Sequence, residues 1–241
     1  MQQNRESALV EPAEGTAKRG DESEVLWRRI ARAPEPTSAA TARALIKDWF
    51  AEIDASAPGR AAKRLIAEHP VLHKLIEAVA DGSPYLWDLV CASPERLVAF
   101  LEGEPERCFD DILAQAKQAV AQAGDDGVVM RILRVMKSDA ALLIALGDLG
   151  GVWPIMRLIE LQTRLADAAV GLAVDYLLAD AHRRSRLKTA DARCPSQGSG
   201  YIVLALGKMG ASELNYSSDV DLIIFYDPAA VAPGIEPAPF Y

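Results

Sequence analysis

Two carboxylates, Asp219 and Asp221, stand two residues apart at the start of an apolar run, Val220 to Tyr226 (VDLIIFY). Residues two apart on a strand share a face, so the spacing predicts both carboxylates on one side and Val220 and Leu222 on the other, toward a core. Oxygen ligands held in this way suit a hard divalent cation such as Mg2+, which keeps several waters and is completed by substrate phosphates. In two-metal phosphoryl and nucleotidyl transfer, such carboxylates hold ions about 3.5–4 Å apart around the reacting phosphorus. Upstream, Gly207 and Gly210 let the backbone approach an anion closely, and Lys208 adds positive charge where phosphate oxygens would sit. Ser217 and Ser218 add hydroxyl donors just ahead of the acid pair. Each feature alone has a plainer reading. An Asp-x-Asp pair can be solvated acid on an edge strand, and a Gly-x-x-Gly segment is commonly just a turn.

The order of the elements narrows the choice. Tyr201 to Leu206 (YIVLAL) and Val220 to Tyr226 are both rich in β-branched and aromatic residues and read as strands. Between them come Gly-Lys-x-Gly, a polar connection and Ser-Ser-Asp-x-Asp. This order resembles the nucleotidyltransferase fold of the DNA polymerase β type, in which a Gly-containing turn precedes Asp-x-Asp by about a dozen residues. The stretch GKMGASELNYSSDVDLIIFYD is further similar to the signature of the bacterial glutamine synthetase adenylyltransferase/adenylyl-removing enzyme family. Gly207, Lys208, Gly210, Glu213, Leu214, Tyr216, Ser218, Asp219, Asp221 and Leu222 occupy that family's places. SPYLWDLVCASPERL and ALLIALGDLGGVW, in the helical region from about Ser83 through Ala181, resemble it too.

The resemblance implies an enzyme that attaches AMP to, and removes it from, a tyrosine of glutamine synthetase under control of a PII-type signalling protein. In that family the amino-terminal of two nucleotidyltransferase domains removes AMP by phosphorolysis, and the carboxy-terminal one adds it from ATP. A signature met after some two hundred residues matches the first. The expected roles are then Asp219 and Asp221 as catalytic Mg2+ ligands, with Gly207, Lys208, Gly210, Ser217 and Ser218 holding nucleotide or phosphate oxygens. The family also places a third carboxylate on a later strand. No strand pattern follows Asp227, where Pro228, Pro233, Pro237 and Pro239 suit a loop, so the sheet is expected to be incomplete and the chain to be the front of a longer protein. The alternative is a helical interaction module, binding glutamine synthetase or a PII-type regulator, with the acid pair a remnant. A nucleotidyltransferase that uridylylates PII is the nearest rival among enzymes.

Composition bounds these readings. The chain has 241 residues, half of them apolar, and a formal net charge of −8. That balance disfavours general affinity for nucleic acid or an anionic membrane surface. Cys91, Cys108 and Cys194 are scattered, which suggests neither a disulfide framework nor a zinc site. His69 and His73 are four apart, but Pro70 intervenes and no metal motif accompanies them. Nothing resembles a signal peptide or reaches the ~20 apolar residues of a membrane span, so a cytoplasmic location is expected.

The expected class is α+β and mostly α, with a helical bundle leading into a nucleotidyltransferase mixed sheet of which two strands are present. Residues 1–22 read as a disordered tail, 23–190 as the helical domain and 200–241 as the beginning of the adenylyl-removing domain. Prolines and glycines cut the helical part into short amphipathic pieces. Predicted helices cover Thr41–Ala55, with Leu45, Ile46, Trp49, Phe50 and Ile53 buried, then Arg60–Glu68, Val71–Ala80, two starts at Ser83-Pro84 and Ser93-Pro94, Cys108–Gln122 and Gly127–Leu146. The longest, Trp153 to about Leu187, carries a seam of Leu158, Leu161, Leu165, Ala168, Leu172 and Tyr176 that fits packing within the chain. Basic residues His182 to Lys188 suit its carbonyl end.

Overall fold

Serine and proline set the starts of most helices. The computed structural model describes residues 25–186 and 194–227. A short α1, Leu26–Arg29, precedes α2, Ala39–Ile53, which Ser38 caps, and α3, Ala57–Glu68, which Ser56 caps through the Gly59 N–H at 2.9 Å. Then come α4 (Pro70–Gly82), α5 (Pro84–Ala92), α6 (Pro94–Glu102) and α7 (Pro105–Ala121), each opening on a proline whose missing N–H costs nothing there. Ser83 and Ser93 accept the Leu86 and Arg96 N–H groups at 3.3 and 3.1 Å, as their Ser-Pro pairs predict. Asp125 caps α8, Asp126–Leu149, and Pro154 leads into α9, Ile155–Arg183. The strands β1, Tyr201–Ala205, and β2, Leu222–Tyr226, flank a single-turn helix α10, Gly207–Gly210. The protein is thus α+β and mostly α. The tail at 1–22 and the segment after Asp227 lie outside the described residues, as does Lys188.

Helix pairing follows the apolar stripes. α2 packs on α4, α3 on α6, and α7 and α8 on each other and on α9. Phe109, Leu142, Leu143, Ile144 and Leu146 are sealed at the centre. On α2 the buried stripe is Ala42, Ile46, Trp49 and Ile53, while Leu45 is 36% exposed and lies outside it. Spacing alone permitted either edge of the stripe, and packing against α4 chose the one through Ala42. The Pro58-Gly59 pair sits inside the first turn of α3. A Cβ on Gly59 would fall 2.0 Å from the Ile53 carbonyl oxygen, so glycine lets α3 start against the end of α2. α9 is 29 residues long, or roughly 43 Å. Its seam residues Leu158, Leu161, Leu165, Leu172 and Tyr176 all join the single core. Arg183 and Arg184, at its end, pair with Asp180 at 3.1 and 2.7 Å. His69 stacks on Trp27 with ring centroids 3.9 Å apart, a packing role.

One polar corner locks α1, α7 and the α8–α9 turn together. Arg29 donates two hydrogen bonds to Glu106, at 2.6 and 3.0 Å, and the Trp153 indole donates a third at 2.5 Å. The Cε3–Cζ3 edge of the Trp153 ring lies against Gly147 of α8, where a Cβ would come within 2.3 Å of it. Burial opposes the charge on Glu106, but the Arg29 and Trp153 hydrogen bonds outweigh it and hold the carboxyl below the ordinary glutamate range. A lowered folded-state pKa contributes stability that is present above the ordinary value and lost as pH falls through the lowered one. Glu106→Gln is therefore expected to reduce unfolding free energy by about 1–3 kcal/mol near neutral pH, because the amide lacks the negative charge and offers one acceptor oxygen where the carboxylate offers two. The gap should close in acid. Urea titrations of both proteins across that range check it.

Candidate functional site

The antiparallel pairing of β1 and β2 sets Ala205 opposite Leu222, and one further ladder bond runs from the Leu206 N–H to the Asp221 carbonyl at 2.9 Å. β2 therefore begins at Leu222, and Asp219, Val220 and Asp221 precede the strand where they were expected to lie within it. The ladder stops there because its partner strand turns away at Gly207 into α10. Val220 and Leu222 do not enter a core either, being 44% and 37% exposed. Period-two spacing assigns residues to a face without saying what covers that face. Along β1, Tyr201, Val203 and Ala205 are half-buried and lean toward Asp167, Val170 and Val174 of α9 across a cavity of about 280 Å³.

The Gly turn and the second aspartate meet. Gly207 has φ +54°, in the left-handed region, and a Cβ there would lie 3.1 Å from Asp221 Oδ2. Gly210 faces the other way, where a Cβ would come within 2.4 Å of the Ala205 carbonyl oxygen. The turn is closed by Gly210 N–H to the Leu206 carbonyl and Ala211 N–H to the Gly207 carbonyl, both at 3.0 Å. Met209 and Leu214, each 4% exposed, anchor it from below. Lys208 and Asp219 are exposed, and among the described residues neither side chain has a hydrogen-bonding partner.

Asn215, which sequence reasoning passed over, organises the approach to the acid pair. Its Oδ1 accepts the Ser217 N–H at 3.1 Å and the Ser218 hydroxyl at 2.9 Å, while its own N–H donates to Ser218 Oγ at 3.0 Å. This is an Asx-type turn, and the signal for it was the Asn followed by paired serines. Tyr216 was noticed only as part of a pattern. Its hydroxyl donates to Asp148 Oδ2 of α8 at 3.1 Å, and burial first, then the Asp148 charge, pushes the phenol well above its ordinary pKa.

The donor set fits a hard cation. Among the described residues no group of three or more His, Cys, Asp or Glu side chains comes together. Asp219 and Asp221, both exposed, are the groups here that could supply oxygen ligands to a cation such as Mg2+, which one or two carboxylates hold together with waters and substrate phosphates. The space beside Asp221 is kept clear because Gly207 has no Cβ.

Against known proteins, the family profile described as glutamate-ammonia ligase adenylyltransferase matches residues 72–241, the greater part of the chain and all of this site. The chain belongs to that family. Among the adenylyltransferase family's curated members, the chain is 44% identical over 231 residues to the bifunctional glutamine synthetase adenylyltransferase/adenylyl-removing enzyme of Bradyrhizobium diazoefficiens, covering 95% of this chain and 23% of the relative. It is 48% identical over 174 residues to the enzyme of the same name from Rhodopseudomonas palustris strain CGA009, covering 71% and 18%. The Xanthobacter autotrophicus member is 43% identical over 179 residues, covering 73% and 18%. The chain thus spans about a quarter or less of the length of these relatives. No solved structure matches it. No helix among the described residues is long and apolar enough to cross a membrane.

Proposed function

We propose that this chain carries a nucleotidyl-transfer site acting on glutamine synthetase, and that the reaction is phosphorolytic removal of AMP from an adenylylated tyrosine. The observation that supports it most is the meeting of Gly207, in its left-handed conformation, with the Asp221 carboxylate. That meeting joins an anion-approach turn to a metal ligand. Mg2+ bound by Asp219 and Asp221 would neutralise charge on the phosphate oxygens.

The protein's own groups do the rest by positioning. Lys208 is free to meet a phosphate oxygen, and the Gly207–Gly210 backbone admits close approach. The Ser218 hydroxyl hydrogen is held by Asn215, so Ser217, with a longer contact of 3.5 Å to the same oxygen, has the more available donor. An oxygen of inorganic phosphate attacks the AMP phosphorus in line, the bond to the tyrosine oxygen breaks, and that oxygen takes a proton. The products are ADP and free tyrosine. The names of the relatives carry an adenylyl-removing activity beside an adenylyltransferase one, and this reading takes the first. The boundary between a helical domain at 23–190 and a catalytic domain from 200, a third carboxylate beyond this chain, and control by a PII-type partner belong to the same proposal.

The test incubates adenylylated glutamine synthetase with the complete protein, Mg2+ and labelled inorganic phosphate. Label is expected in ADP. Release of unlabelled AMP would mean hydrolysis, and no release without added ATP chemistry would move the site to the adenylylating direction.

A further inference from the structure

Among the described residues, one hydrogen bond joins the loop that carries the acid pair to the helical domain. From Gly207 to Asp221 every other described hydrogen bond is local, within the turn, the Asx motif or the strand ladder. The exception spans 68 positions, from the Tyr216 hydroxyl to Asp148 Oδ2. Asp148 is an odd residue for its place. It sits in the last turn of α8, where a helix's carbonyl end disfavours a carboxylate. It is half-buried, and among the described residues it forms no ion pair and its side chain bonds only Tyr216. Gly147, next to it, lies against the Trp153 ring, whose indole donates to Glu106, itself bonded by Arg29.

We infer that Asp148 is a positioning residue for the transfer site, acting through Tyr216 to fix the Asn215–Ser218 turn and with it the Asp219 carboxylate. Tyr216 lies three residues before Asp219 and directly between Asn215 and Ser217, within the span that the Asx turn closes. Tyr216, 58% exposed, also lines a cavity of about 350 Å³ with Leu86, Ala145, Leu149 and Leu165, so its ring borders the helices while its hydroxyl makes the polar contact to α8. The inference rests on the reading of Asp219 as a metal ligand.

The test uses the complete protein and measures kcat, KM for adenylylated glutamine synthetase and the Mg2+ concentration at half-activity. Tyr216→Phe and Asp148→Ala are each expected to lower kcat about tenfold, since small displacements of reacting groups carry penalties of this order. Both should raise the Mg2+ half-saturation while leaving KM unchanged. Asp148→Asn should retain most activity, because its amide oxygen still accepts from the phenol. The double variant Tyr216→Phe/Asp148→Ala should fall no further than either single change. An unchanged Mg2+ half-saturation in both single variants, additive losses in the double, or failure of Asp148→Asn to rescue would each overturn the tether. Asp219→Asn is run beside them. If it abolishes transfer while the tether variants match wild type, only the tether falls; if it leaves transfer intact, the site reading falls and the tether with it.

Discussion

Asp219→Asn in the complete protein is expected to lower the rate of AMP removal about 10³-fold, because a metal ligand's charge stabilisation is worth several kcal/mol and each 1.36 kcal/mol is a factor of ten. The change keeps size and shape and removes the charge. Asp219 is exposed and makes no hydrogen bond to a described residue, so its loss leaves the fold undisturbed. Thermal unfolding should coincide with that of the wild type. Phosphorolysis followed at saturating Mg2+ checks the activity, and a residual rate within tenfold of wild type would remove Asp219 from the metal site. Excess Mg2+ should recover little, since the missing group is a ligand and not a competitor.

Gly207→Ala is the second large effect, expected to reduce turnover about 100-fold, as a displacement near 1 Å can. Two penalties coincide there. A side chain at φ +54° is strained by about 1–2 kcal/mol, and the new Cβ meets Asp221 Oδ2 at 3.1 Å, tighter than ordinary contact. Either the turn relaxes or the carboxylate moves. Both displace a proposed ligand from its place while the helical core, which is remote from Gly207, stays intact. The diagnostic pair is a raised Mg2+ half-saturation together with an unchanged denaturation midpoint for the helices. A wild-type Mg2+ dependence would show that Gly207 serves only the turn.

Much of the scaffold was legible because local chemistry specifies it. Ser83-Pro84 and Ser93-Pro94 announced two helix starts, and both serines cap as expected. Gly151, in the turn out of α8, takes φ +69°. Strand boundaries fared less well. The acid pair was expected at the start of a strand over Val220 to Tyr226, yet β2 begins at Leu222, because a ladder requires a partner and β1 ends at Ala205. Leu45 carried the right period and the wrong side, since periodicity gives a stripe's spacing but its neighbour sets its edge.

What the sequence by itself determined is the family, the helical punctuation and the identity of the groups able to do chemistry, since these reside in residue types and in spacings of a few positions. Only the tertiary structure decided which of those groups touch. The Gly207–Asp221 approach depends on the register of two strands separated by the whole signature, and the Tyr216–Asp148 bond on where α8 ends relative to that loop. Both are long-range pairings, and no local spacing encodes the distance between two elements that packing brings together.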